Sequence, residues 1–431
     1  MTNFDSTHQN ARAAVIVPWD VSNRQISNRN SQSRLEEAIG LASSIRLEIL
    51  HTEIINLRSY RSATLIGQGH IEQLRDSIQS NEIEIAIFDT RLSPIQQRNL
   101  EKALACKVID RTALILDIFG ERAQTKEGTL QVELAHLQYQ RSRLVRSWTH
   151  LERQRGGFGF MGGPGETQIE ADRRLIDERI IRLKKDLEQV RRTRGLHRKS
   201  RQKVPFPIVA LIGYTNAGKS TLFNKLTGAD VHAQDQLFAT LDPTMRKLQL
   251  PSGKTIILSD TVGFISDLPT ELIAAFRATL EETAEADIIL HVRDISHPET
   301  IEQRQDVFSV LDTMVKDQIL EADWRKNTIE VLNKIDLTDI NTIVDKPSDY
   351  IGISALTGEN LPALIQMIDD RLATFMEKVN YTISIKDGAA LSWLYNHSEI
   401  LERNDDEENI TLYVRLSPVN KARFEQIYPY E

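Results

Sequence analysis

The sequence contains a glycine-rich loop of the type that binds nucleotide phosphates, in the setting that such a loop requires. A strand-like apolar run, IVALI, leads directly into GYTNAGKS (213–220), and a helix pattern, TLFNKL, follows. Gly213 and Gly218 would let main-chain N–H groups approach the phosphates, where a side chain would clash. Lys219 would place its charge on the β- and γ-phosphates, and Ser220 would offer its hydroxyl to Mg²⁺. The loop therefore predicts binding of a nucleoside triphosphate.

A second strand pattern, downstream of this loop, ends in an acidic residue. TIILSD (255–260) closes with Asp260 and is followed by Thr261, Val262 and Gly263. Asp260 would hold Mg²⁺ through a water molecule, and the Gly263 N–H would sense the γ-phosphate. An aspartate at the end of a buried strand is often only a cap, but its place after a phosphate loop favours the metal-binding interpretation.

The Mg²⁺ site also needs a hydroxyl that engages only when the γ-phosphate is present. The segment LFATLDPTMR (237–246) offers two, on Thr240 and Thr244. The residue types alone do not decide between Thr240 and Thr244.

Two further residues bear on the rate of hydrolysis. Phe264 follows Gly263 at a position where many hydrolases with this type of loop place a glutamine that orients the attacking water, which an aromatic ring cannot do. We therefore expect slow intrinsic hydrolysis, with a partner supplying or arranging the missing group. Asn216 would hold a K⁺ ion beside the phosphates, as asparagine does in some nucleotide hydrolases with this loop, or would only cap the loop.

The identity of the base is indicated by the segment VLNKID, which ends at Asp336. The carboxylate can accept hydrogen bonds from both N1–H and N2–H₂ of guanine, and adenine offers no such pair of donors. Asn333 and Lys334 would brace the loop and cover the ring. Main-chain N–H groups near Ala355, in SerAlaLeu (354–356), would bind guanine O6. These motifs, in order and each after a predicted strand, predict a guanine-specific site.

The elements that must position these residues fall into four predicted regions. Residues 1–123 alternate strand and helix patterns, as in AAVIVPW (13–19) and SRLEEAIGLASSI (33–45), and predict a small, mainly parallel α/β domain. Residues 204–377 predict a doubly wound P-loop domain with a mainly parallel sheet, and 378–431 predict a small α+β appendage. The fold class is therefore α/β.

The remaining region, 124–203, predicts a long helical hairpin. Apolar residues at helical spacing mark its first helix, and a second helix pattern covers 171–194. Between them lies GGFGFMGGPGE (156–166), which we expect to form a glycine-rich tip. Phe158 and Phe160 in this tip would stack on unpaired RNA bases or would pack on the hairpin itself. The stripe predicted for the first helix is Leu130, Leu134, Leu137, Leu144 and Trp148.

Charge is segregated along the chain. The formal net charge is −8, yet residues 141–203 contain 18 Lys and Arg against 8 Asp and Glu. A basic block on an acidic protein favours a polyanionic partner, usually nucleic acid. A helix with a solvated, charged outer face would produce the same pattern.

The remaining features of the sequence exclude other classes of protein. No apolar run reaches the roughly 18 residues that span a bilayer, so stable membrane insertion is not expected. The N-terminus lacks the apolar core of a secretory signal. The single cysteine, Cys106, excludes an intramolecular disulfide and fits a reducing compartment. The predicted location is the cytoplasm.

The motifs together resemble the HflX family of bacterial ribosome-associated GTPases, from end to end. Phe264 is the family's usual hydrophobic replacement for the glutamine. The tip differs from that of many members, because PheMetGlyGly (160–163) precedes Pro164 where they have a shorter tip with an arginine. The matching segments are LIGQGHIEQL (65–74), LSPIQQRNLE (92–101), VIDRTALILDIF (108–119), GGPGETQIEADRRL (162–175), GYTNAGKSTLFNKLT (213–227), FATLDPT (238–244) and DTVGFISDLP (260–269).

The resemblance implies a GTP-hydrolysing switch that binds the large ribosomal subunit and dissociates or rescues stalled ribosomes under stress. The hairpin would reach ribosomal RNA near the peptidyl-transferase centre, and off the ribosome we expect a monomer. The resemblance also favours Thr240 over Thr244 and places Mg²⁺ on Ser220 and Thr240, with Lys219, Thr240 and Gly263 acting in catalysis. The implied GTP contacts are Gly213, Tyr214, Thr215, Asn216, Ala217, Gly218, Lys219, Ser220, Phe238, Ala239, Thr240, Leu241, Asp242, Asp260, Thr261, Val262, Gly263, Asn333, Lys334, Ile335, Asp336, Ser354, Ala355 and Leu356.

Two other functions compete with this one. A GTP-gated scaffold could regulate a protein partner such as a membrane-bound protease, with RNA contact incidental. A tRNA-modification GTPase would share Asn216, but those proteins usually need a catalytic cysteine, and Cys106 lies in no obvious site.

Overall fold

A computed structural model gives the architecture. It describes residues 11–21, 29–154, 168–201, 206–229, 238, 244–267, 283–338, 349–374, 377–406, 408–416 and 418–428. No helix among these residues is long and apolar enough to cross a membrane.

The N-terminal region is a four-stranded parallel sheet with the strand order β2-β1-β3-β4. Alternate residues of β1 bury on opposite faces: Val15 lies with α1 and α4, and Ile16 with α2 and α3. The predicted parallel sheet is therefore observed, together with an edge strand, β2, that was not predicted. The elements are β1 (Arg12–Asp20), α1 (Ser31–Ser44), β2 (Glu48–Leu57), α2 (Gln68–Ser80), β3 (Ile85–Phe88), α3 (Pro94–Leu104), β4 (Lys107–Asp110) and α4 (Arg111–Arg122).

Two long helices follow, α5 (Lys126–Gln154) and α6 (Gln168–Arg201). They run antiparallel, because Glu133 pairs with Arg179 at 2.7 Å and Arg141, further along α5, pairs with Asp177 at 2.8 Å. The predicted glycine-rich tip (156–166) lies outside the described residues.

The buried stripe of α5 differs from the predicted one. Val132, Ala135 and Tyr139 are buried, whereas Leu130, Leu134, Leu137 and Leu144 are only half-buried, and the side chain of Trp148 is not described. Helical spacing predicted the helix correctly but not the residues that it buries, because α5 packs on α4 as well as on α6.

The central sheet has six strands in the order β10-β9-β8-β5-β7-β6. The pairs from β10 to β7 are all parallel, which confirms the predicted mainly parallel sheet. The elements are β5 (Ile208–Gly213), α7 (Lys219–Thr227), β6 (Thr244–Gln249), β7 (Thr255–Asp260), β8 (Ile288–Asp294), α8 (Thr300–Lys316), a 3-10 turn (Trp324–Asn327), β9 (Thr328–Asn333) and β10 (Tyr350–Gly352).

Residues 249–255 and 360–431 form a compact unit of their own. Its antiparallel sheet has the order β11-β13-β12, and the apolar face buries Ile383, Leu412 and Phe424. Strand β12 was not predicted. The division of the chain at 123, 203 and 377 stays a prediction. The elements are α9 (Leu361–Thr374), β11 (Glu377–Ser384), α10 (Gly388–His397), β12 (Glu399–Asp405), β13 (Asn409–Leu416) and α11 (Pro418–Ile427).

Candidate functional site

The phosphate-type loop leaves the central strand β5 and enters α7 through two glycines that no other residue could replace without strain. Gly213 has φ +150°, and a Cβ atom there would lie 2.1 Å from the carbonyl oxygen of Val292 on β8. Gly218 has φ +90°, and its Cβ would lie 2.2 Å from Nδ2 of Asn333. The loop is therefore held against β8 and β9 at close range.

Lys219 is the first residue of α7, and its ammonium group is buried inside the loop. Nζ donates to the carbonyl oxygens of Tyr214, at 2.7 Å, and Gly213, at 3.2 Å. Burial lowers the pKa of Lys219 to about 8, and the charge of Asp260 partly opposes this shift. Both hydrogen-bond partners are neutral, so a bound polyphosphate would supply the countercharge that the ammonium group lacks in the loop.

The segment after β7 lies directly on this loop. The hydroxyl of Ser220 donates to Oδ2 of Asp260 at 2.7 Å. The main chain of Phe264 pairs with the loop on both sides, since Thr215 N donates to Phe264 O at 2.7 Å and Phe264 N to Gly213 O at 3.0 Å. A Cβ on Gly263 would lie 2.8 Å from the Cα of Thr215. The structure thus brings the predicted Asp260–Gly263 segment and the predicted loop together.

The other end of the loop is tied to the segment predicted to read the base. Asn333 is only 2% exposed. Its Nδ2 donates to Ala217 O at 2.8 Å, and its Oδ1 accepts from Ala355 N at 2.9 Å. The one side chain therefore fixes the phosphate loop against the 354–356 loop, while Asp336 is exposed.

Sequence reasoning missed Asp294, which ends β8. Its carboxylate pairs with Nζ of Lys334 at 2.6 Å, and it also accepts from the main-chain N–H and the hydroxyl of Ser296. Lys334 has φ +68°, so the ion pair anchors a residue with unfavourable backbone geometry. The signal available in the sequence was the position of Asp294 at the end of a strand.

The predicted threonine segment is described only in part. Ala239, Thr240, Leu241 and Asp242 lie outside the described residues. Phe238 is buried, and its ring meets that of Phe119 edge to face, with centroids 4.8 Å apart. Thr244 begins β6.

The remaining predicted site residues differ in exposure. Thr261 is buried, and its hydroxyl donates to Leu211 O at 2.6 Å. Asn216 is exposed and has φ +59°, a conformation that asparagine tolerates better than most residues. Val262 and Ser354 are buried, Ile335 is half-buried and Leu356 is 70% exposed.

Fold and site together define a P-loop GTPase. Four features are typical of this class: a glycine-rich loop at a helix N-terminus, a buried lysine, a serine paired with a strand-end aspartate, and an Asn-Lys-x-Asp loop.

Family models match along the chain in the same order. They are described as GTP-binding GTPase N-terminal (residues 32–120), GTP-binding GTPase Middle Region (122–201), 50S ribosome-binding GTPase (208–334) and HflX C-terminal domain (339–427).

Relatives match over nearly the whole length. The GTPase HflX of Magnetococcus marinus is 47% identical over 422 residues, which cover 97% of this chain and 96% of the relative. The GTPase HflX of Escherichia coli K12 is 42% identical, with coverage of 90% and 91%. A GTP-binding protein of Sulfolobus solfataricus, solved in complex with GDP, is 25% identical, with coverage of 84% and 99% and a TM-score of 0.46. The chain belongs to the HflX family of GTPases and hydrolyses GTP.

Proposed function

We propose that this GTPase binds the large ribosomal subunit in its GTP form and dissociates or rescues stalled ribosomes under stress. The observation that carries the proposal is a basic helical hairpin joined to a guanine nucleotide switch. The family model that covers the switch is itself described as a 50S ribosome-binding GTPase. The cytoplasm, where ribosomes are found, is the corresponding location, with the protein monomeric when off the ribosome.

Three basic residues of α6 lie on its exposed face. Ile180, Leu183 and Leu187 are buried at helical spacing, so the intervening positions point away from the packed side. Arg182, Lys184 and Lys185 are all exposed there. The same face also carries Asp186 and Glu188, and the positive excess of 141–203 comes from residues 141–155 and 191–203. Basic side chains of the hairpin would neutralise nucleic-acid phosphates, and binding of this kind weakens steeply with salt.

We assign the site residues the following roles in GTP binding. The amides of 213–220 and the ammonium group of Lys219 hold the β- and γ-phosphates, the Gly263 N–H contacts the γ-phosphate, and Asp336 reads guanine. Asn333 holds the two loops together, and because the Ala355 N–H already donates to Asn333 Oδ1, a neighbouring main-chain N–H would bind guanine O6.

Mg²⁺ fits the donor set. The Ser220 hydroxyl and Asp260 carboxylate are hard oxygen donors already in contact at 2.7 Å. No group of three His, Cys, Asp or Glu side chains in the described part of the chain could hold a metal ion, so phosphate oxygens, water and Thr240 would complete the shell. When bound, the ion neutralises charge on the β- and γ-phosphates. A K⁺ ion beside Asn216 would neutralise part of the same phosphate charge.

Intrinsic hydrolysis is slow on this account. Phe264 is only 7% exposed, and its ring has no group that can orient water. The bound subunit would supply or arrange that group, so purified large subunits should raise the hydrolysis rate severalfold.

Ribosome sedimentation with GTP, GDP or a non-hydrolysable GTP analogue tests the proposal. The protein should co-sediment with the large subunit in the analogue and be released with GDP. A triple variant, Arg182→Gln, Lys184→Gln and Lys185→Gln, should lower the slope of log affinity against log salt by about 2 to 3. The matched control changes three exposed lysines outside the hairpin, Lys316, Lys378 and Lys386, to glutamine. Equal behaviour of the two variants would favour the GTP-gated scaffold instead.

The structure adds an argument against the tRNA-modification alternative. Burial raises the pKa of the Cys106 thiol to about 11, so the sulfur stays protonated near neutral pH and is a poor nucleophile.

A further inference from the structure

The N-terminal sheet has the strand order that produces a ligand-binding crevice in open α/β folds. Helix α1 follows β1 and packs on one face, whereas α3 follows β3 and packs on the other. The chain therefore leaves these neighbouring strands in opposite directions, which opens a crevice at their carboxyl ends. Asp89, next after β3, is buried there and pairs with two guanidinium groups, those of Arg34 and Arg111.

The group that fills this crevice comes from the GTPase domain. Ser266, three residues after Gly263, is 1% exposed. Its hydroxyl donates to Oε1 of Glu37 at 2.9 Å and accepts from Arg34 Nη1 at 2.6 Å and Arg111 Nη2 at 3.0 Å. Its carbonyl oxygen also accepts from Arg111 Nη2 at 3.0 Å.

The same carboxylate reaches the phosphate loop. The hydroxyl of Tyr214, the second residue of that loop, donates to Glu37 and accepts from the main-chain N–H of Ser266, the latter at 2.7 Å. Burial opposes ionisation of Glu37, but the charges of Arg111 and Arg34 hold its pKa below the ordinary value. One ionised side chain of the N-terminal domain thus binds both sides of the phosphate site.

We propose that Glu37 and Arg111 are positioning residues for GTP hydrolysis. They fix Tyr214 and Ser266, and through the short 263–266 segment they fix the Gly263 N–H relative to the phosphate loop. Movement of Gly263 with the γ-phosphate displaces Ser266, so the nucleotide state and the N-terminal domain are coupled.

A second contact supports the coupling. Phe238, at the start of the predicted threonine segment, packs edge to face on Phe119 of α4. The helix that begins with Arg111 therefore touches both segments expected to respond to the γ-phosphate. The proposal depends only on GTP hydrolysis and is independent of ribosome binding.

The test uses the full-length chain without ribosomes and compares Glu37→Gln, Ser266→Ala and the double variant. Single-turnover hydrolysis rates are measured alongside GTP and GDP affinities. Ser266→Ala removes the shared hydroxyl but leaves the Glu37–Arg111 ion pair, so it stays informative if Glu37→Gln does not fold. We expect each single variant to hydrolyse GTP at least about tenfold more slowly, with affinities within about twofold of the unmodified chain.

Two features separate positioning from general loosening. Residues acting as one unit give non-additive losses, so the double variant should be no slower than the slower single variant. The matched control is Glu299→Ala, which removes the acceptor of the Asn30 main-chain N–H at 2.6 Å, another link from the N-terminal segment to the GTPase domain. It should stay within about twofold of the original rate. Unchanged rates in a folded Ser266→Ala protein, multiplicative losses in the double variant, or an equal loss in the control would each overturn the proposal.

Discussion

The contact between Gly218 and Asn333 allows a prediction with a closely matched control. In Gly218→Ala the new Cβ would lie 2.2 Å from Nδ2 of Asn333, against 3.4 Å or more for an ordinary contact. The amide of Asn333 must then retreat from Ala217 O and Ala355 N, which it now holds at 2.8 and 2.9 Å. The phosphate loop and the base loop would no longer be tied together.

The expected magnitude follows from these two bonds. A net hydrogen bond contributes about 0.5–1.5 kcal/mol, so losing both costs about 1–3 kcal/mol. If that cost falls on the nucleotide-binding arrangement, GDP affinity drops about 5- to 150-fold. The left-handed backbone adds about 1–2 kcal/mol of strain for a residue with a Cβ, and this acts on stability.

Gly253→Ala isolates the strain. Gly253 has φ +83°, close to the +90° of Gly218, but a Cβ there would meet nothing within 4 Å. Both variants should therefore lose thermal stability, with Gly218→Ala losing about 1–3 kcal/mol more because of the two hydrogen bonds, whereas only Gly218→Ala should bind GDP weakly. A fluorescent GDP titration and a thermal melt of each protein give the comparison. Wild-type GDP affinity in folded Gly218→Ala, or an equal loss in Gly253→Ala, would refute the reasoning.

Three further predictions concern the same site. Lys219→Ala should abolish nucleotide binding, because it removes the buried ammonium group that the loop holds; tight GTP binding by this variant would contradict the assignment. Asp336→Asn should move preference from guanine toward xanthine, whose altered edge suits an amide, and competition between the two nucleotides measures the shift. If Asn216 holds K⁺, hydrolysis should be faster in K⁺ than in Na⁺ at equal ionic strength, and equal rates would leave asparagine as a loop cap.

The nucleotide motifs could be read from the sequence because each is a short main-chain arrangement set by local residue types. Gly213 and Gly218 have positive φ values, and Asp260 does end a strand beside Ser220. Roles assigned to single side chains, such as Thr240 and Asp336, stay predictions.

The features that could not be predicted from the sequence depend on segments that are distant along the chain. Helical spacing on α5 selected leucines, but the face that is buried is set by two neighbouring helices. Strand β2 has polar residues at several positions and lies at a sheet edge, so it lacks an apolar run. The Glu37–Ser266 contact joins residues 229 positions apart, and no local pattern marks it.

Competition for a labelled GDP most directly tests the central claim that this chain is a guanine-specific switch. The account predicts that one labelled GDP binds per chain, that unlabelled GTP displaces it, and that a large excess of ATP does not. Displacement by ATP at the same concentration as GTP, or no binding of GDP at all, would contradict it.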